Sequence, residues 1–199
     1  MNTPRVLLIA CGALANELVR VKRLNGWDHV DIKCLPAELH NRPERIADAV
    51  ERKILENNQD YDRIVIGYAD CGTGGALDAL AERYGASRLA GAHCYQFFAG
   101  ESKFSQMSDS EPGTFYLTDY LARNFDRLIV QGMGIDRHPE IKEMMFGNYR
   151  KLVYLAQTMD PNLELAARQA ADYLGLDYEY HSTGLEPFKI TVAAHAAAT

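Results

Sequence analysis

The sequence predicts an α/β fold: a three-layer, mostly parallel sheet with helices on both faces, Rossmann-like, in a single domain over residues 1–199. Short apolar runs alternate with longer helical patterns, and this alternation favours right-handed crossovers between parallel strands. The first run, Val6–Ala10, has no polar alternation, as in a strand that is buried on both faces. The 47% hydrophobic fraction suits a domain with a substantial core.

The individual elements follow from these patterns in chain order. Strands are predicted at 6–10, 29–34, 63–69, 127–131, 151–156 and 178–181. Helices are predicted at 12–24, 43–55, 75–84 and 163–174, where apolar residues recur every three to four positions. The aromatic-rich region 91–126 breaks the rhythm, so we expect a long loop or insertion packed over the sheet edge. The alanine-rich end, 193–199, is expected to fray.

A faint internal repeat offers a second form of the same fold, with two similar lobes. Ile9-Ala-Cys-Gly12 and Ala69-Asp-Cys-Gly72 each close a predicted strand and open a predicted helix. Cys34 and Cys94 follow these motifs at equal spacing, and Gln131-Gly-Met-Gly134 has a related form. The pattern is a weak sign of a pseudo-repeat, whose halves would be about 1–100 and 101–190, and the alternative is chance.

Charge and composition exclude several classes of protein. The net charge of −6 argues against a basic nucleic-acid binder or a polybasic membrane-surface protein. No apolar run is long enough to span a bilayer, and Met1–Ala10 lacks the features of a signal peptide. We therefore expect a cytoplasmic protein that acts on a small molecule. Its four cysteines are too few for a disulfide scaffold, which leaves core packing, metal ligation or thiol chemistry.

Three of the cysteines fall where ligands bind in parallel sheets. Cys11 and Cys71 each end a predicted strand and precede a glycine, and Cys94 lies in a glycine-flanked loop beside His93. Thiolates bind soft metals, so Cys11, Cys71, Cys94 and His93 are candidate ligands, for zinc first and for an iron–sulfur cluster second. The alternative is that each cysteine is a small buried side chain, and the sequence has no C-x-x-C pair to decide.

Three polar side chains near the same edge are candidate catalytic groups. His40 could be a ligand or an acid/base, and Arg42 could clamp an anionic substrate. The alternative for this segment is a turn in which Asn41 caps the helix opened by Pro43. Asp70 could orient a ligand or act as a base, or it could cap the following helix.

Glycines beside these residues are candidate cofactor-binding positions. Gly12, Gly72 and Gly74 allow a tight turn and close backbone approach. Gly72-Thr-Gly-Gly75 resembles a phosphate loop, but it lacks the Lys-Ser/Thr of a P-loop and the third spaced glycine of the dinucleotide fingerprint.

Several of these motifs together resemble a known family. They are Cys11-Gly-Ala-Leu14, Leu39-His-Asn-Arg-Pro43, Asp70-Cys-Gly72, His93-Cys94 and Pro112-Gly-Thr-Phe-Tyr-Leu-Thr118. As a set, spread over about Arg5 to Gly184, they are similar to the domain-of-unknown-function family 1638 of small bacterial and archaeal proteins. The resemblance implies a place in one-carbon or methylated-amine metabolism, beside corrinoid proteins and methyltransferases.

The resulting hypothesis is a metal–thiolate protein that acts in one-carbon or methyl transfer alongside a corrinoid-dependent methylated-amine system. One alternative is a non-catalytic metal- or cofactor-handling partner that docks to a methyltransferase. Another is a nucleotide-binding Rossmann-like protein.

Overall fold

The computed structural model describes residues 3–57 and 59–196. The strands are β1 (Val6–Cys11), β2 (Val30–Leu35), β3 (Arg63–Gly67), β4 (Ser87–Arg88), β5 (Thr114–Thr118), β6 (Lys151–Ala156) and β7 (Asp177–Ser182). The α-helices are α1 (Ala15–Asn25), α2 (Ile46–Leu55), α3 (Ala76–Tyr84), α4 (Tyr95–Ala99), α5 (Glu101–Ser110), α6 (Asp119–Arg123), α7 (Glu140–Phe146), α8 (Pro161–Leu174) and α9 (Glu186–Ala196). The α/β class with parallel sheets between helices, which the sequence predicts, is confirmed.

The chain divides into two compact units, each with its own sheet. The first unit comprises Met1–Phe97 and Phe188–Thr199, and the second comprises Phe98–Pro187. The sheet of the first unit has the strand order β2-β1-β3-β4, and that of the second has the order β5-β6-β7. Every pairing in both sheets is parallel.

The strand order of the first unit fixes where its loops converge. After β2 the chain crosses back over β1, so that β3 pairs with the other side of β1. Right-handed crossovers then place α1 on one face of the sheet and α2 and α3 on the other. The α2–α3 face packs as one core, which includes Leu7, Ile9, Ile66, Val50 and Leu77. The loops that follow β1 and β3 leave the sheet at the same edge, which is where doubly wound folds bind ligands.

In the second unit, a buried polar cluster joins the ends of β5 and β6. Asp119, 3% exposed, accepts hydrogen bonds at Oδ1 from the Tyr154 hydroxyl at 2.7 Å and the Gln157 amide at 3.0 Å. Its Oδ2 accepts from the Thr158 hydroxyl at 2.5 Å, and its own amide donates to Gln157 Oε1 at 2.8 Å. The carboxylate is thereby satisfied by the chain itself, so this cluster fastens the two strand ends together.

Two expectations about local structure are wrong. The run 127–131, predicted as a strand, lies in a π-helical turn, Asp126–Gln131, which buries Leu128 and Ile129. A short apolar run buried on one side has the same pattern in both conformations. The region 91–126, predicted as a loop or insertion, instead contains α4, α5, β5 and α6. Several of its aromatic residues are core residues: Phe97, Phe98, Phe104 and Tyr116 are buried.

The chain termini and the helix lengths complete the description. The alanine-rich end is helical as far as Ala196, and residues 197–199, also expected to fray, lie outside the described residues. Among residues 3–57 and 59–196, no helix combines the length and the apolar character that crossing a bilayer requires.

Candidate thiol site

Cys11 and Cys71 lie at the carboxyl edge of the first sheet, and the loop that carries Cys94 lies beside them. Cys11 is the last residue of β1, and Cys71 follows β3 after a short loop. Cys11 and Cys71 both pack against the core on the α2–α3 face. Cys34 pairs in register with Ala10 and not with Cys11, so the alternation of β-strand side chains directs it to the opposite face. Cys34 is exposed, whereas the other three cysteines are partly buried.

Backbone hydrogen bonds bring the third cysteine to the site. The amide of Asp70 donates to the Gly91 carbonyl at 2.9 Å, and that of Cys71 donates to the Ala92 carbonyl at 2.9 Å. These bonds tie the loop after β3 to the loop that carries Cys94. The thiols of Cys71 and Cys94 lie close enough for each to affect the ionisation of the other.

Cys71 has an unusual backbone conformation at this junction. Its φ of +50° lies in the left-handed region, which non-glycine residues rarely adopt, and no other non-glycine residue among those described has a positive φ. Gly72 follows with a φ of +81°. Strain of this kind persists where the surrounding structure holds it in place and is concentrated at functional sites.

The three thiols differ in how readily they ionise. The hydrogen bond from Cys94 lowers the pKa of Cys71 below the ordinary thiol value, against the opposing effect of burial. The same bond, together with burial and the nearby charges of Cys71 and Cys11, raises the pKa of Cys94. Burial raises the pKa of Cys11 to about 11. Cys71 is therefore the sulfur that first becomes a thiolate, stabilised by the proton of Cys94.

Tyr68 is a member of the site that sequence analysis missed. Its side chain is 2% exposed. Among the residues that the structure describes, its hydroxyl has no hydrogen-bond partner. It lies near the sulfurs of Cys11 and Cys71, and burial followed by their charges raises its pKa. A buried hydroxyl without a regular partner is costly, so it is a group that a bound ligand could satisfy.

Asp70 holds the loop that precedes α3, whereas the N-cap of that helix is Gly75. Its Oδ1 accepts hydrogen bonds from the Gly75 amide at 2.8 Å and the Thr73 hydroxyl at 3.0 Å, and its Oδ2 accepts from the Gly74 amide at 3.2 Å. These bonds, the one from Gly75 above all, lower the pKa of Asp70. A carboxylate stabilised in this way is a weak base.

The candidate cofactor-binding glycines shape the backbone of the rim. Gly72 and Gly74 have positive φ, and a side chain on Gly72 would lie 3.5 Å from Pro43. Gly12 is needed for close approach, since a Cβ there would lie 2.9 Å from the Leu35 carbonyl oxygen. The amides of Gly74 and Gly75, which a phosphate would use, already donate to Asp70.

His40 and Arg42 lie on the loop between β2 and α2, beside this rim. His40 belongs to a 3-10 segment, Ala37–Asn41, and Pro43 begins a second one, whereas the α-helix itself begins at Ile46. The side chains of His40 and Arg42 are exposed at the surface. Even so, the protein around His40 desolvates its ring enough to lower its pKa, with a further contribution from His93. Arg42 lies two residues further along this loop, where its exposed side chain can meet an anion.

A separate cavity of about 770 Å³ contains none of these residues. It is lined by Lys22, Arg23 and Asp31 among others, along the outer strand β2. Asp31 is bound there by Arg5 at 3.2 Å and by the Tyr61 hydroxyl at 3.0 Å. The charges of this cavity are thus partly paired within the protein, and its chemistry is less distinctive than that of the thiol site.

The donor atoms at this site suit a soft metal, but their arrangement in the described segments is not yet that of a metal site. Thiols are the donors that zinc and iron–sulfur clusters take, so the chemistry of the donor set fits. Across residues 3–57 and 59–196, however, no three His, Cys, Asp or Glu side chains are already arranged around a point that could hold a metal ion. Binding would therefore require the Cys11, Cys71 and Cys94 side chains to turn towards a common centre.

Comparison with known proteins gives one match. The model of a family described as "Protein of unknown function (DUF1638)" matches residues 34–192. The match includes Cys71, Cys94, His40 and Arg42 and begins after Cys11. No curated protein and no solved structure matches the chain.

Proposed function

The chain belongs to this family of proteins of unknown function, and from its own side chains we propose a thiol-based metal site that serves one-carbon or methyl transfer. The proposal places Cys11, Cys71 and Cys94 as ligands, with His93 as an additional one. Zinc is the first choice of metal and an iron–sulfur cluster the second. The methylated-amine and corrinoid setting is what the family resemblance implies, and it is part of the proposal.

The contact between Cys71 and Cys94 is the observation that carries this proposal. Two thiols from separate loops interact at the carboxyl edge of the sheet. The charge of Cys71 raises the pKa of Cys11, and the charge of Cys11 contributes to the raised pKa of Cys94. Cysteine side chains used only for packing have no need of such an arrangement, because an apolar neighbour serves equally well. Soft sulfur donors brought together favour zinc, copper(I) or iron over hard cations.

Each of the other groups has a role that follows from its place. A metal bound here would act as a Lewis acid that lowers the pKa of a bound thiol or polarises a substrate. Cys71 supplies the thiolate that is most readily formed. His40, whose pKa is lowered, is neutral at pH 7 and able to accept a proton. Arg42 binds the anionic end of a small substrate, and Tyr68 donates its unused hydroxyl hydrogen bond within the site.

The open arrangement of the donors favours a second candidate function. Because the described residues contain no closed three-donor group, a metal or cofactor would be held loosely and could be passed on. This suits a non-catalytic carrier that docks to a methyltransferase. Nucleotide binding at residues 72–75 has less support, since Asp70 already occupies the amides of that loop.

Metal analysis of the full chain, purified without oxygen and with reductant, tests the proposal. We expect zinc or iron at about one equivalent per chain, retained on gel filtration, as tight thiolate sites retain it. A brown protein with sulfide would identify a cluster, and a colourless protein with zinc would identify the Lewis-acid form. Metal well below one equivalent, both as purified and after reconstitution with either metal, would overturn the proposal.

A further inference from the structure

The thiol pair itself supports an activity that needs no metal. We propose that Cys71 and Cys94 form a redox-active dithiol, which exchanges with low-molecular-weight disulfides and closes an internal disulfide. This goes beyond the proposed function, although the two share residues. If a metal is bound at these thiols, oxidation would release it by removing two donors.

Cys71 and Cys94 are neighbours in the fold. Each thiol affects the ionisation of the other, and closing a disulfide with an S–S distance of about 2.05 Å requires the two side chains to rotate towards each other. The backbone bonds from Asp70 to Gly91 and from Cys71 to Ala92, each 2.9 Å, already hold the two loops together. Folding has therefore already brought the two loops together, and disulfide formation costs little further conformational entropy.

The other two cysteines have different surroundings. Cys71 and Cys94 are both partly buried, whereas Cys34 is exposed. Cys11 has a different neighbour: its side chain lies beside the hydroxyl of Tyr68 and not beside a partner thiol that it could bond to. Cys34 lies on the opposite face of the sheet. Among the four cysteines, only Cys71 and Cys94 are paired before any oxidant arrives.

The exchange proceeds in two balanced steps. The thiolate of one cysteine attacks a sulfur of the small disulfide, forming a mixed disulfide and expelling one thiolate, which takes a proton from water. The second cysteine loses its proton and attacks the protein sulfur of that mixed disulfide, which releases the other small thiol. The dithiol is oxidised by two electrons, and the small disulfide is reduced to two thiols.

Oxidised glutathione is a suitable probe for the full-length reduced protein. After incubation, remaining thiols are alkylated and the digested peptides are identified by mass spectrometry. We expect two of the four cysteines to escape alkylation and one linked peptide to join Cys71 to Cys94. Cys34→Ser should form the same link, and Cys94→Ser should instead retain a glutathione on Cys71 that a dithiol reductant removes. A link to Cys11, or glutathione on all four cysteines without an internal link, would overturn the proposal.

The wild-type peptide map decides the question even if a variant fails to fold. Metal content is measured beforehand on the same reduced sample, so the two proposals fail separately. Metal without the link would overturn only the dithiol, and the link without metal would overturn only the metal site.

Discussion

Replacing Cys71 or Cys94 by serine is expected to lower the affinity of the reduced protein for zinc at the proposed site by at least about 100-fold. Each change removes one soft donor and leaves a hydroxyl, which zinc binds poorly. Loss of an outer-shell partner alone commonly costs about 10- to 100-fold in metal affinity, and loss of a direct ligand should exceed that. The two substitutions also act on the thiolate. Cys94→Ser removes the thiol that lowers the pKa of Cys71, and Cys71→Ser removes the thiolate-forming sulfur itself.

Competition against a chromophoric chelator measures this affinity. Cys34→Ser is the matched control, since Cys34 is exposed and on the other face of the sheet, and its affinity should equal that of the wild type. Circular dichroism confirms that each variant is folded before titration. If the Cys71→Ser, Cys94→Ser and Cys34→Ser variants all bind zinc as the wild type does, these thiols are not its ligands.

In the second unit, Asp119→Ala is expected to lower the free energy of unfolding by about 3 to 5 kcal/mol, as the loss of a buried charged partner does. Alanine would leave the Tyr154 hydroxyl and the Gln157 amide, which are both buried, without their acceptor, and would also remove the bond from the exposed Thr158. Asp119→Asn keeps an acceptor for Tyr154 and Gln157, and its amide can donate to the Thr158 oxygen. We therefore expect a smaller loss for asparagine, about 1 to 2 kcal/mol.

Urea unfolding, followed by a probe in the second unit, gives these free energies. Asp109→Ala, an exposed aspartate of α5 in the same unit, is the control and should change stability by less than about 0.5 kcal/mol. An Asp119→Ala protein as stable as this control would show that the cluster at the ends of β5 and β6 does not fasten the two strands.

The parts of the fold that sequence analysis predicts well are those with a long pattern or a clear end. Unbroken apolar runs identify β1 and β6, and the spacing of apolar residues identifies α2 and α8. The positions of Cys11 and Cys71 just after strands also suffice to place them at one edge, because parallel strands share their carboxyl ends.

The errors arise where local pattern and tertiary packing disagree. Residues 126–131 form a π-helical turn although Leu-Ile-Val suits a strand, because burial on one side is compatible with either conformation. The strand β5 lies in a region expected to be a loop, although its aromatic and β-branched residues are typical of strands.

Contacts between distant residues have no local signal at all. The pairing of Cys71 with Cys94 depends on two backbone bonds between loops, and that of Tyr154 with Asp119 depends on the register of β5 and β6. Tyr68 could have been found, since it follows β3 by one residue and continues the alternation of Ile64 and Ile66 towards the core. The lack of a hydrogen-bond partner for its hydroxyl within the described part of the chain could not be predicted, because it depends on how the surrounding residues pack.

The proposed site requires that the thiols of Cys11, Cys71 and Cys94 can reach one common point. Inorganic arsenite is a suitable probe, because trivalent arsenic binds up to three soft thiolates at a single atom. With about one equivalent of arsenite on the reduced wild type, we predict that Cys11, Cys71 and Cys94 resist alkylation while Cys34 reacts as before. Alkylation of Cys11, Cys71 and Cys94 at unchanged rates would show that the three thiols do not share a binding point.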